Sequence, residues 1–121
     1  MESNDIELEV IMHQAIYEEL MRVAKGQRLT NYGDIAPLAR LDMRNPVDRN
    51  EIGRILDEIS NAEHQQSRPL LSAVVVQKEF NIPGKGFFAL ARRLDLYSGH
   101  DDLSDVAFWA SEVTKVHAAW R

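Results

Sequence analysis

The sequence predicts a mainly α protein with a small β element, namely a winged helix-turn-helix-like core flanked by long N- and C-terminal helices. Three observations carry that expectation. Apolar residues recur at three- and four-residue steps in five places, the mark of helices that bury one face. One β-rich run of strand length, Leu70-Leu71-Ser72-Ala73-Val74-Val75-Val76, interrupts them. Turn chemistry follows it at Asn81-Ile82-Pro83-Gly84-Lys85-Gly86. With 121 residues, 45% of them hydrophobic and 27% charged, the chain suits one domain, residues 1–121, with its own core.

The first helix is expected over about residues 5–25. Leu8, Ile11, Met12, Ala15, Ile16, Leu20 and Val23 form its stripe, Asn4 or Asp5 its cap and Gly26 its stop. The winged-helix-like core is expected over about 27–95. Thr30 or Asn31 caps a short second helix, Asp34 suits its first turn, and Pro37 limits its length. Asp42 to Pro46 reads as a loop. Asp48 and Glu51 have capping-box spacing ahead of Ile52, Ile55, Leu56 and Ile59, so a third helix is expected over about 49–63. After the strand and turn, Phe87, Phe88, Leu90, Ala91 and Leu94 form a fourth helical face. The last helix is expected over about 102–120, with Val106, Trp109, Ala110, Val113, Val116 and Trp120 as its stripe and Asp101 and Asp102 at its start. A helix-turn-helix followed by a β-ribbon wing is the economical topology.

The net charge of -5 argues at first against a nucleic-acid partner. Its distribution argues otherwise. Residues 22–54 carry seven bases against four acids, and residues 67–94 five bases against one acid, between acidic segments. If both basic blocks share a face, that face is positive; the alternative is interleaved solvating charge. The absence of cysteine excludes disulfides, thiolate metal sites and a cysteine nucleophile. No apolar run reaches the roughly 18–20 residues of a membrane span. The acidic start enters a helical pattern at once, so no signal peptide is expected and a cytoplasmic location fits. His13, His64, His100 and His117 fall in different elements. No metal or cofactor is therefore expected, although Asp101, Asp102 and Asp105 lie near His100.

Residues 28–88 resemble the C-terminal DNA-binding domain of alkylguanine-DNA alkyltransferases and of the non-catalytic alkyltransferase-like proteins. Tyr32-Gly33-Asp34-Ile35-Ala36 matches the family's Tyr-Gly turn, and Ile52-Gly53-Arg54-Ile55-Leu56 its recognition helix. Pro69 stands where the reactive Pro-Cys-His-Arg motif begins, and Pro83-Gly84-Lys85-Gly86 where the Gly-rich loop follows. The resemblance implies a DNA-facing third helix and double-stranded DNA as partner. It does not carry the reaction across, because Leu70-Leu71-Ser72-Ala73 holds neither the Cys nor the His and Arg. Asn50, with Arg49 beside it, occupies the position of the family's base-displacing Arg. A non-enzymatic protein is expected.

The candidate DNA-binding residues are Thr30, Tyr32, Arg49, Asn50, Gly53, Arg54 and Lys85. Arg and Asn can read base edges or hold phosphates, and Gly53 permits a close approach. Thr30 and Tyr32 open a helix whose amides can meet a phosphate, unless they only cap and pack. Lys85 sits in a turn that can wrap a phosphate or merely lead into the next helix. Phe108, Trp109 and Trp120 place a possible protein partner on the terminal helices. The rival reading is an accessory or protein-interaction module on the same scaffold, without DNA binding.

Overall fold

The computed structural model describes residues 13–121. The predicted cap at Asn4 or Asp5, and the first helix before residue 13, lie outside the described residues. Helix α1 spans Gln14–Lys25, with the ring of His13 accepting from the Ile16 amide and Gly26 closing the far end. It buries Ile16, Leu20 and Val23 as the spacing predicted, together with Ala24, while Ala15 of the expected stripe is exposed.

Strand β1 is only Thr30–Asn31, and α2 follows directly over Tyr32–Ile35. Asn31 is the cap, its side chain accepting from the Asp34 amide at 2.9 Å. Pro37 falls in a 3-10 turn over Ala36–Ala39, which ends at Arg40 in the left-handed region at φ 58°. Helix α2 is short, as Pro37 led one to expect.

Helix α3 spans Pro46–Gln65, three residues earlier and two later than the sequence pattern suggests. The predicted Asp48/Glu51 capping box does not form. Asn45 caps instead, accepting from Val47 at 2.8 Å, and Asp48 turns back to accept from the Asp42 amide. Pro46 belongs to the helix because the first turn needs no amide donor and proline's fixed φ already suits it. Asn45→Ala is expected to cost about 1 kcal/mol in urea unfolding, with Asn45→Asp near neutral. Equal stability of Asn45→Ala and wild type would show that the cap contributes nothing.

The predicted strand Leu70–Val76 is mostly not a strand. Leu71–Val74 forms a 3-10 turn, and only Val75–Val76 forms β2. Strand β2 pairs parallel to β1, Thr30 with Val75 and Asn31 with Val76. A short run buried on all sides has no alternation that would separate strand from helix. Tertiary contacts decided it: the segment lies against α1, α3 and a C-terminal helix, α5 (Asp102–Ala119). A buried irregular segment must still satisfy its backbone, and side chains do so. Leu70 N–H donates to Glu112 at 2.8 Å, Ser72 N–H to Ser60 Oγ at 2.9 Å, and Ala73 C=O accepts from Trp109 Nε1 at 2.8 Å. The terminal helix α5, whose aromatic residues pointed to a protein partner, packs Phe108 and Trp109 against the core.

No β-ribbon wing is present among the described residues. Gln77 to Ile82 instead closes as a hydrogen-bonded loop, with Gln77 N–H on Ile82 O, Asn81 N–H on Gln77 O, and Asn81 at φ 56°. Helix α4 (Lys85–Arg93) then packs Phe87, Phe88, Leu90 and Ala91 inward. Asp101 caps α5 through the Ser104 amide at 2.8 Å. The fold is mainly helical with one two-stranded parallel sheet. Among the described residues no helix is long and apolar enough to cross a membrane, and no three His, Cys, Asp or Glu side chains gather as a metal site.

Candidate nucleic-acid interface

A cleft of about 230 Å³ opens between the start of α2, the first half of α3 and the end of the Gln77–Gly84 loop. Its walls are largely apolar, with Met43, Ile52, Leu56 and Phe87 facing one another. Polar groups enter from four parts of the chain: Tyr32, Arg49 with Asp57, Ser72, and Gln77.

Tyr32 fixes one wall. As the first residue of α2 it reaches 52 positions along the chain, its hydroxyl oxygen accepting from the Gly84 amide at 2.8 Å. Burial pushes the phenol above its ordinary value, the Gly84 bond pulls it back, and the Asp57 carboxylate raises it further. Arg49 and Gly53 come from one face of α3, four residues apart. Arg49 donates one Nη1–H to Met43 O at 2.9 Å, which holds the side chain along the cleft mouth. A Cβ built on Gly53 would meet nothing within 4 Å. That glycine is therefore not demanded by a neighbouring helix; it widens the cleft. Lys85 is exposed; its neighbours Gly84 and Gly86 line the cleft, but Lys85 itself lines a separate hollow with Phe88, Asp102 and Asp105.

The remaining candidates stand differently. Asn50 is exposed next to Arg49, outside the cleft lining. Thr30 is half-buried in β1, paired with Val75. Arg54 points along α3, where its Nε–H meets Glu51 at 2.9 Å and its Nη1 meets Glu58. The same bond holds the Glu51 carboxyl below the usual range. Two acids on its own helix therefore offset Arg54, and any contact with a phosphate would have to compete with them. Pairing also thins the basic blocks: Arg44 lies on Asp42, Arg68 on Glu63, Arg92 on Asp105 and Arg93 on Asp57. Among the described residues Lys25, Arg28, Arg40, Arg49, Lys78 and Lys85 have no carboxylate within 4 Å, and of these Arg49 alone lines the cleft.

Asp57, Ser72 and Gln77 escaped the sequence reading. Asp57 lies one turn beyond Gly53, so helical spacing alone could have placed it on the Arg49/Gly53 face. Burial holds its carboxyl above the usual carboxylate range, against the pull of Arg93 at 3.3 Å. Ser72 and Gln77 had no such signal, because their positions follow from the turn and loop that replaced the expected strand and wing. Ser72 Oγ accepts from Ser60 Oγ at 2.6 Å, which anchors the cleft floor to α3. Compared with known proteins, the chain matches no family model, no curated protein and no solved structure.

Proposed function

We propose that this chain is a non-catalytic protein that binds double-stranded DNA across the first half of α3, on a helix-turn-helix-like core without a wing among the described residues. The observation that carries the reading is convergence. Tyr32, Arg49, Gly53 and the two glycines beside Lys85 are up to 54 positions apart, yet all line one cleft. These are the positions quoted for the alkyltransferase resemblance, and nothing in local sequence requires them to meet. Arg49 would hold a phosphate at the mouth, and the exposed Lys85 a phosphate farther along the backbone. The apolar walls suit the flat face of one base turned out of the stack. Alkyl transfer to cysteine is outside the reading, since the chain has no cysteine.

Fluorescence anisotropy with a short labelled duplex tests it. Binding is expected at low salt and should weaken steeply toward physiological salt. Arg49→Ala should weaken it about tenfold and lower the salt slope by about one. An absence of binding at low salt rejects the DNA reading. Binding indifferent to Arg49→Ala rejects the choice of α3.

A protein-binding role is the competing reading, and one observation favours it. Phe80 (70% exposed) and Val106 (47% exposed) line a hollow between the Gln77–Gly84 loop and α5. Leu103 (84% exposed) stands one turn away from Val106, and Asp102, Asp105 and Lys85 also line the hollow. Such a surface suits a protein better than a phosphate backbone.

A further inference from the structure

We infer that Asp57 makes the cleft selective for an unstacked base that carries an exocyclic amino group. This rests on the DNA reading above and names what the cleft would accept. The argument is one of open hydrogen-bonding groups. Asp57 Oδ2 takes Arg93, but Oδ1 accepts nothing among the described residues, and the side chain is 34% exposed. Gln77 turns its amide N–H groups onto the carbonyls of Ile82 and Pro83, at 3.5 and 3.4 Å, which leaves Oε1 as an acceptor. Tyr32 accepts from Gly84, so its own O–H is the donor that remains. Arg49 and the Ser72 hydroxyl add further donors, so the cleft offers two open acceptors beside several donors, and among the described residues Asp57 is the one acidic residue in its lining.

A guest without N–H groups at the right edge would strip water from Asp57 and return no hydrogen bond. Sites whose polar groups lose water to a guest discriminate against guests that cannot pair with them. Adenine, cytosine and guanine each carry an amino group. Thymine's single ring N–H lies between two carbonyl oxygens, which the carboxylate repels. An abasic nucleotide offers nothing.

The test uses the whole chain and five duplexes that differ only at one unpaired nucleotide: adenine, cytosine, guanine, thymine or abasic. The wild type is expected to bind the three amino-bearing duplexes about tenfold more tightly than the other two. Asp57→Asn should bring all five within about twofold of one another, whatever its absolute affinity. Arg93→Ala, which removes the ion pair and keeps the carboxylate, should retain the preference. A purely structural role for Asp57 would shift all five affinities together and leave their ratios intact. Equal wild-type binding of all five duplexes, or a preference that survives Asp57→Asn, overturns the inference while the DNA reading stands. Binding of none of them removes the DNA reading and this inference with it.

Discussion

Replacing Leu71 with alanine should lower the unfolding free energy by about 3 kcal/mol, the largest effect expected of any single truncation here. Leu71 is fully buried, as are Leu70, Ala73, Val74 and Val75 around it. Its turn lies against α1, α3 and α5 together. A hole at that point touches three helices, and none can close it without moving away from the others. Leu→Ala costs of about 2–5 kcal/mol are set by how far a site can collapse, and this one has little freedom to do so. For a domain whose whole stability is about 5–15 kcal/mol, the loss is a large fraction. Urea unfolding at constant m-value measures it. A loss below about 1 kcal/mol would mean that the turn is not the centre of the core.

Arg68→Ala should cost a comparable amount, about 3 kcal/mol, for an electrostatic reason. Glu63 is 1% exposed, and Arg68 grips both its oxygens, Nε at 2.8 Å and Nη2 at 2.9 Å. Tyr17 adds a third bond at 3.1 Å. Truncating the arginine leaves a buried carboxylate with one phenol for company. The arginine itself is half in water and stands 5.9 Å from the Trp120 ring, so the pair as a whole contributes less than its breakage costs. That asymmetry gives the check. Glu63→Gln combined with Arg68→Ala should be more stable than Arg68→Ala alone, because the orphaned charge has gone. A double variant no better than the single one would show that the loss comes from packing on Trp120.

Much of the fold was legible because helices announce themselves locally. The stripe of α4, most of that of α1, the Asp101 cap and the brevity of α2 follow from spacing and a few punctuating residues, whereas the expected α5 stripe fails at Val106 and Ala110, which are exposed, and misses the buried Glu112. The misreadings have one cause in common. Asn45 rather than Asp48 caps α3 because Asp48 found a partner at Asp42. Leu70–Val76 is a turn and a two-residue strand because Ser60, Trp109 and Glu112 supply hydrogen bonds that a neighbouring strand would otherwise have given. Glu51 and Glu58 sit at helical spacing on either side of Arg54, so its pairing is a local property, and Asp57 shares the Arg49/Gly53 face by the same spacing.

Local pattern carries where helices form, most of the inward faces of α1, α3 and α4, and the exclusion of cysteine chemistry. These are properties of residue type and short-range spacing, which any window of the chain carries. Only the tertiary structure decided that β1 pairs with β2 in parallel, that α5 closes the core over the Leu70–Val74 segment, and that Tyr32, Arg49, Gly53 and Gly84 share a cleft. The reason is physical. A buried amide or carboxylate takes whichever partner the packed chain brings to it, and in this chain the partners of Leu70, Ser72 and Gly84 lie between 12 and 52 residues away.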